Sequence, residues 1–547
     1  MIKICIFTIL SLEKMKRRDF IRVSSTAGIA GLVGPGYTSL AQSGSAKKDG
    51  FDLHPFIKEH PEAVFINLTS ANDKTDGKLI YDAAYKLAGE MFVKTTRGEG
   101  YLNSTQVNCK PNWTCMGRPR SNAESKMGIT TDLNYVEGFL KGVKDTGPEQ
   151  FSLRECACPQ FWDDTGYTAM AERNNFDLRD LSSRHYWELE PDDIVFKEVD
   201  GVVFKKVGFM APMNAPDTFL INIAKFKTHR MGLTGAIKNL QGIAGRKFHQ
   251  FCGGHLNVFK SYDERYHQFF QPDYMDRIHE LHLKHVEAGI PRWDSLMDIP
   301  PYTGGLFMEQ WVQRMLDSYS VTPTGINIIE GTYSLDGDGF GRGPHNRRGQ
   351  TYMSNQVIFG LDAFRVDIIE HWLAGHEPGN FGLFHIGMER GLSDVLDPSD
   401  IPIYLWEDGK ATKVKLDSLK RTPLLTAYLR RNTYGFDEDK YHMCDEPFDY
   451  ASWKSTGIIA QPDPPSIRAL GTNAKEEVVM ELSVPEKGDV YVDILNRHGE
   501  IVWRMEAEDL EPGKHELVWD GFSQPGLYNT YVKGMGWDAE REMVIYT

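Results

Sequence analysis

Short apolar segments alternate with longer segments of helical periodicity between residues 62 and 333, and this alternation constrains the fold more than any other feature. The strand-like segments are EAVFINLT, TQVNCKPNW, FSLRECACP, DTFLINIAKF and TGINIIEGTY. The two clearest helical segments are KLIYDAAYKLAGEMFV and NYVEGFLKGVKD. Strands that alternate with helices form parallel sheets that are covered on both faces. The predicted fold class is therefore α/β, with a largely parallel sheet and helices on both faces.

The first 41 residues carry an export pattern. Arg17 and Arg18 precede a short apolar run that is diluted by glycine, and residues 39–41 (SLA) have the small-x-small form of a cleavage site. This segment resembles a twin-arginine export signal. The resemblance implies that the signal is cleaved, that the twin-arginine translocase is a partner during export, and that the mature chain is periplasmic or secreted.

Changes in composition divide the rest of the chain. Residues 42–460 are predicted to form the α/β domain, with a helical, histidine-rich insertion at about 255–320 that contains DYMDRIHELHLKHVEAG. A proline-rich linker, QPDPPSI, occupies residues 461–467. The short alternating runs of residues 468–547 are typical of an all-β, Ig-like sandwich. This segment is similar to the Ig-like module of flagellar hook-capping proteins, a likeness carried by Trp519, Asp520, Gly521, Gly526 and Tyr528.

The formal net charge of −15 at pH 7 limits the partners of this chain. Nucleic acids and anionic membrane surfaces attract net basic faces, so we expect no nucleic-acid partner. After the signal, no apolar segment has the length of a transmembrane helix, so we expect a protein that is not integral to a membrane. Any anion site in this acidic chain must therefore be local.

Polar and charged residues follow three of the predicted strands, where ligands bind in parallel α/β sheets. In the basic loop, residues 221–242 (INIAKFKTHRMGLTGAIKNLQG), a helix is predicted to start at Thr234, and its amides together with lysine would favour an anion. The predicted catalytic residues are Lys227, His229 and Lys238, since histidine titrates near neutrality and crowded lysines have a lowered pKa. The predicted substrate-binding residues are Lys110, Asn112, Lys225, Asn239, Asp336 and Asp338.

Two alternatives remain open for these residues. The lysines could instead form a buried ion network with four acids, Asp336, Asp338, Asp362 and Asp367. The segment LDGDGFGRG could place its two aspartates on a cation, or it could simply turn the chain.

Five segments, spread over about residues 105–400, resemble the family known as domain of unknown function 362. They are VNCKPNW, GITTDLNYVEGFLKGV, DTFLINIAKFKTHRMGLTGAIKNLQG, INIIEGTYSLDGDGFGRGP and GLDAFRVDIIEHWLAG. Some members carry a ferredoxin-type cluster, but this chain lacks the closely repeated cysteines of a four-iron site. The spacing of His229, Gly235, Lys238 and Gly242 is similar to a loop of nickel-dependent lactate racemases in which a lysine holds the cofactor. The cofactor stays unknown, and a metal is left open.

The seven cysteines are compatible with disulfides once export removes Cys5, and a disulfide or a buried thiol is favoured over zinc binding. The function that follows is an exported enzyme acting on an anionic small molecule or sugar that is carboxylated, sulfated or phosphorylated. The alternative is a non-catalytic binding or accessory protein in extracellular polysaccharide utilisation.

Overall fold

The computed structural model describes most of the chain after residue 48. The described residues are 49–96, 99–114, 127–156, 158–245, 248, 263–295, 304–344, 347–429, 440–456, 466–472, 477–485, 487–496, 499–520, 526–534 and 538–545. They belong to Lys48–Thr547, the second of two units into which the chain divides. The predicted export signal, most of the predicted linker, Cys115 and Cys252 lie outside the described residues.

Twenty-three strands are numbered here along the described part of the chain. They are β1 (Gly50–Leu53), β2 (Val64–Leu68), β3 (Phe92–Thr95), β4 (Tyr101–Leu102), β5 (Gln106–Pro111), β6 (Gln150–Leu153), β7 (Asp177–Leu178), β8 (Ile194–Glu198), β9 (Lys206–Met210), β10 (Thr218–His229), β11 (Gly232–Leu233), β12 (Ile326–Leu335), β13 (Thr351–Tyr352), β14 (Gln356–Gly360), β15 (Ile403–Glu407), β16 (Lys410–Val414), β17 (Ser466–Thr472), β18 (Val478–Val484), β19 (Gly488–Asn496), β20 (Ile501–Leu510), β21 (Gly513–Trp519), β22 (Gly526–Lys533) and β23 (Asp538–Ile545).

The α-helices are numbered in the same way. They are α1 (Pro55–Glu59), α2 (Gly77–Met91), α3 (Leu133–Lys144), α4 (Tyr167–Asn174), α5 (Ala236–Asn239), α6 (Tyr274–Glu287), α7 (Gly305–Ser320), α8 (Ala363–Leu373), α9 (Gly382–Glu389) and α10 (Tyr450–Thr456). Aspartate caps fix the start of several of them: Asp132 accepts hydrogen bonds from the first amides of α3, and Asp362 does the same for α8.

The largest sheet has the strand order β16-β15-β2-β14-β12-β10-β5-β6-β7, with β11 beside β10 and β13 beside β12. The central strands β12, β10, β5 and β6 are mutually parallel, and β15 is parallel to β2. Strand β14 runs antiparallel to both of its neighbours. The sheet is thus mixed and mostly parallel, which confirms the predicted fold class at this level.

Helices cover both faces of this sheet. Leu220 and Ala224 of β10 belong to the apolar cluster that includes residues of α7 and α8. Ile221 and Ile223 of the same strand belong to the cluster that includes residues of α2 and α3. This split follows from the strand geometry, because successive side chains point to opposite faces. The carboxyl ends of β5, β10 and β12 consequently open between two helical layers.

The predicted insertion contains α6 and α7 among its described residues, and His285 joins these helices to α9. His285 Nδ1 lies 2.6 Å from Glu309 Oε2, and Nε2 lies 2.6 Å from Glu389 Oε2. Burial by itself lowers the pKa of His285, but the hydrogen bonds to the two carboxylates outweigh it and raise the pKa to about 9. His285 is therefore a charged link between three helices. Of the other two histidines on α6, His282 bonds to the Trp293 carbonyl and His279 is exposed.

The C-terminal strands form two small antiparallel sheets, β17-β18-β21 and β20-β19-β22-β23. One apolar cluster contains residues of both sheets, and Trp519 lies within it. Strand β17 begins at Ser466, inside the range predicted as a linker.

Within the described residues, we find no helix with the length and apolar character needed to cross a membrane. Cys109, Cys156 and Cys444 are buried thiols. Cys158 is disulfide-bonded.

Candidate functional site

Lys110 lies at the end of β5 and is paired inside the protein. Its Nζ donates hydrogen bonds to Glu155 Oε2 at 2.5 Å, to Asn239 Oδ1 at 2.9 Å and to the Pro111 carbonyl at 2.7 Å. The side chains of Lys110 and Glu155 are both buried. A buried charge is tolerated when it is paired and fully hydrogen-bonded. Lys110 therefore ties the end of β5 to α5 and has its charge compensated by Glu155.

A chain of side-chain amides extends this contact across the sheet. Asn112 Nδ2 donates to Asn239 Oδ1 at 3.1 Å, and Asn239 Nδ2 donates to Asn222 Oδ1 at 2.8 Å. Asn222 Nδ2 in turn donates to Asn327 Oδ1 at 2.9 Å. These amides link the end of β5 to α5, β10 and β12. Two of the predicted substrate-binding residues, Asn112 and Asn239, are in direct contact.

Lys225 points to the opposite face of the sheet from Asn222 and forms a second buried ion pair. Its Nζ lies 2.5 Å from Glu330 Oε2 and 3.5 Å from the centre of the Tyr333 ring. The Tyr333 hydroxyl donates to Asp132 Oδ2 at 2.7 Å. Burial lowers the pKa of Lys225 and raises that of Glu330, while their mutual attraction opposes both changes. Lys225 is thereby linked through Tyr333 to Asp132, the residue that caps α3.

Lys227 donates hydrogen bonds to two backbone carbonyls. One belongs to Ile129, and the other, at 3.0 Å, belongs to Gly339. The β10 strand persists through His229, with an irregularity in its pairing to β12 between Lys225 and Lys227. Lys227 therefore fastens the loop after β12 to the end of β10.

Asp336 and Asp338 organise that same loop. Asp336 accepts hydrogen bonds from Arg347 Nη2 at 2.9 Å, Gln350 N at 2.6 Å and the Tyr352 hydroxyl at 3.1 Å. Asp338 accepts from two backbone amides of the loop, at 2.8 and 3.1 Å. In the part of the chain that the structure describes, no group of three histidine, cysteine, aspartate or glutamate side chains is placed to hold a metal. The two aspartates have the contacts of loop-forming residues.

His229 is buried against aromatic rings at the end of β10. Its ring centre lies 5.3 Å from that of Trp311 and 5.2 Å from that of Phe340, both in edge-on orientation. The Met231 amide donates to His229 Nδ1 at 3.3 Å, whereas Nε2 is buried with no hydrogen-bond partner among the described residues. Burial, followed by the charges of Lys238 and Lys227, holds the pKa of His229 well below its usual range. The imidazole is neutral, and its proton resides on Nε2.

Lys238 is half-buried on α5 and close enough to His229 to lower the pKa of that histidine. Neither Lys238 nor Arg230, the residue that follows His229, makes a hydrogen bond or an ion pair with any residue that the structure describes. In the basic loop, these two charges are uncompensated, in contrast to Lys225 and its glutamate partner. Lys238 and His229 are thus two predicted catalytic residues that lie near each other. Each has a polar group that is unpaired within the described residues, namely Lys238 Nζ and His229 Nε2.

The amino terminus of α5 is occupied by an acid of the chain itself. Ala236 N and Ile237 N both donate to the carboxylate of Asp367, the latter at 3.0 Å. Gly235 precedes the helix at φ 62° and ψ 167°, and a Cβ atom there would lie 2.6 Å from Asp367 Oδ2. Burial raises the pKa of Asp367 to about 8, although the backbone hydrogen bonds oppose this. The helix begins two residues after Thr234, and its first amides are used inside the protein.

The residues of this candidate site lie in a region of the chain that matches a protein-family model. Residues 107–369 match the family model "Domain of unknown function (DUF362)". No curated protein matches the chain. The DUF362 region runs from β5 into α8, so it contains all nine predicted site residues as well as Asp367 and Trp311.

Several residues of the DUF362 region that build the site were not predicted. Glu155 and Glu330 had a usable signal: Glu155 lies two residues after the apolar strand β6, and Glu330 is the one acid within the apolar strand β12. The ion-network alternative foresaw buried pairing of the lysines but named different acids. Asp367 was among the acids of the ion-network alternative, but its hydrogen bonds to the amides of α5 were not predicted. Trp311 had no signal, since it comes from a helix that is distant in sequence.

Proposed function

We propose that the protein is an enzyme that binds an anionic small molecule or sugar, carboxylated, sulfated or phosphorylated, beside Lys238 and His229. One observation carries the proposal: Lys238 is a half-buried cation with no partner among the described residues, beside a histidine whose buried Nε2 is also unpartnered. A cation and a fixed N–H group that converge in a water-poor site favour an anionic ligand.

The chemistry follows from the protonation state of His229. A neutral imidazole that carries its proton on Nε2 is a hydrogen-bond donor, and such a donor stabilises negative charge that develops on a substrate oxygen. Lys238 adds a positive charge next to it. This pair supports reactions in which an oxyanion forms, such as proton abstraction beside a carboxylate. Lys227 then acts by holding the 336–343 loop over His229 rather than by touching substrate.

We also propose, from the sequence patterns, that residues 1–41 are a twin-arginine signal and that the mature protein is periplasmic or secreted. The assignment of residues 468–547 to an Ig-like module is part of the same proposal. It is supported by the two antiparallel sheets that share one apolar core.

A non-catalytic binding or accessory protein in extracellular polysaccharide utilisation is the second candidate. Buried ion pairs engage Lys110 and Lys225, which leaves few charged groups for chemistry. Tyr491 and Tyr531 are exposed on the four-stranded C-terminal sheet.

Lys238→Ala tests the anion site, and Lys413→Ala, on the exposed surface of β16, is its matched control. Binding of phosphate, sulfate and glucuronate is measured by titration calorimetry. Loss of a charge-assisted hydrogen bond of about 1.5–3 kcal/mol raises Kd roughly 10- to 100-fold. Wild-type affinity in Lys238→Ala would contradict the proposal.

The same ligands separate the two candidate functions. For an enzyme, His229→Gln lowers turnover of the bound ligand or its sugar derivatives by more than it weakens binding. For a binding protein, the parent shows binding without turnover, and both variants weaken binding alone.

A further inference from the structure

The orientation of the Gln241 side chain is determined by Trp311. Trp311 Nε1 donates to Gln241 Oε1 at 3.2 Å. The indole nitrogen is only a donor, so the oxygen of the Gln241 amide must face it and the amide nitrogen must point away. Gln241 is 6% exposed, and its Nε2 has no hydrogen-bond partner among the described residues. Gln241 therefore presents a buried, unused donor of fixed direction.

The same reasoning applies to His229. A backbone amide is only a donor, so the bond from Met231 N assigns the acceptor role to Nδ1 and leaves the proton on Nε2. That second buried donor is also unpaired within the described part of the chain. Leaving a buried donor unsatisfied destabilises the folded protein. Two such donors therefore represent a stability cost that a bound acceptor would remove.

These donors lie around one side chain. His229 and Gln241 both contact Trp311. Lys238 precedes Gln241 by three residues where α5 continues into the 3-10 turn Leu240–Ile243, a spacing that places side chains on neighbouring positions of a helical turn. The three groups are His229 Nε2, Gln241 Nε2 and Lys238 Nζ. All three donate, and none can accept a hydrogen bond.

We propose that these three groups bind the oxygens of one oxyanion group and that Gln241 determines specificity for the fully ionised form of that group. The inference rests on the proposed function and adds a residue and a ligand chemistry to it. Carboxylate, sulfate and the dianion of a phosphate ester share this chemistry. A protonated group, including inorganic phosphate at neutral pH, has its own O–H, which meets no acceptor among the three, and so it binds less well.

Gln241→Glu tests the proposal with little change of shape. The variant keeps an oxygen for Trp311 Nε1 but replaces the unpaired N–H₂ group with an anionic oxygen on a residue one helical turn from Lys238. We expect the thermal midpoint to stay the same or rise, because Lys238 gains a partner, and the affinities for acetate, sulfate and phosphate to fall at least about tenfold. A purely structural role for Gln241 would not separate stability from binding in this way. Gln268→Glu, at an exposed position, is the control.

Each outcome discriminates. If Gln241→Glu binds the three anions as the wild type does while Lys238→Ala binds them weakly, this inference is overturned and the proposed function stands. If the wild-type protein binds neither these anions nor glucuronate, both are overturned. The relative affinities for acetate, sulfate and phosphate identify which oxyanion the site prefers. If Gln241→Glu does not fold, Gln241→Met removes the donor without adding charge, and unchanged affinity there overturns the inference.

Discussion

Replacing His285 with glutamine should destabilise the protein at neutral pH and have little effect at high pH. His285 bonds to Glu309 and Glu389, and its pKa rises from the ordinary value of 6.5 to about 9 in the folded protein. Each tenfold increase in proton affinity is worth about 1.4 kcal/mol, so the upper limit for this link is roughly 3 kcal/mol. The lowered pKa of Glu389, about 2, reports the same contact and is not added again. Because Glu389 is 38% exposed, solvent screens part of the attraction, and we expect about 2 kcal/mol.

The sign of the pH dependence follows from the direction of the pKa change. The folded protein binds the His285 proton more tightly than the unfolded chain does. The stabilisation is therefore fully present below pH 6.5 and is lost as the pH rises through about 9. Glu309 keeps hydrogen bonds from Trp293 Nε1 and Gln313 Nε2 in the variant, so its carboxylate is not left unpaired.

Urea unfolding, followed by tryptophan fluorescence at pH 6 and at pH 10, measures this effect. His279→Gln, on the exposed side of the same helix, controls for helix propensity and for loss of a histidine. We expect His285→Gln to unfold at lower urea than the wild type at pH 6, with the difference shrinking at pH 10. A difference that is equal at the two pH values, or a similar loss in His279→Gln, would refute the reasoning.

Two further predictions concern the site. Lys110→Met should destabilise the protein by about 3–5 kcal/mol in urea, because it removes the lysine that neutralises the buried Glu155 carboxylate, and adding Glu155→Gln should restore part of that loss; no recovery would refute the pairing. Gly235→Ala should lower the thermal midpoint, because the glycine occupies a backbone region that costs other residues about 1–3 kcal/mol and the new Cβ displaces Asp367 from the α5 amides. Gly89→Ala, inside α2 with open space around the position, should instead stabilise by about 0.5–1 kcal/mol, and equal effects of the two changes would contradict the argument.

Much of the fold was accessible from local patterns. The apolar runs at 62–69 and 105–113 contain the strands β2 and β5, and the runs at 217–226 and 324–333 cover all but the last residues of β10 and β12. Periodicity also located α2 and α3. These elements were predictable because alternation and helical spacing are properties of neighbouring residues. The antiparallel direction of β14 was not predictable from local patterns, since it depends on how the chain returns to the sheet.

The site was predictable only in part. Sequence reasoning selected Lys227, His229 and Lys238 as the catalytic candidates from an unusual concentration of positive charge at a strand end. It could not tell Lys238 from Lys110, Lys225 and Lys227, which look equivalent along the chain. The difference lies in their partners, and those partners are distant: Glu155 is 45 residues from Lys110, and Glu330 is 105 residues from Lys225.

The sequence by itself therefore determined the α/β class, the central strands and the position of the basic loop, because these follow from the order of apolar and charged residues. Only the tertiary structure decided which charges are neutralised. It placed Asp367 on the amides of α5 and Trp311 against Gln241 and His229. The physical reason is that burial and hydrogen-bond pairing are set by residues from several elements at once. A buried charge or donor is available for a ligand only where the fold provides no partner of its own.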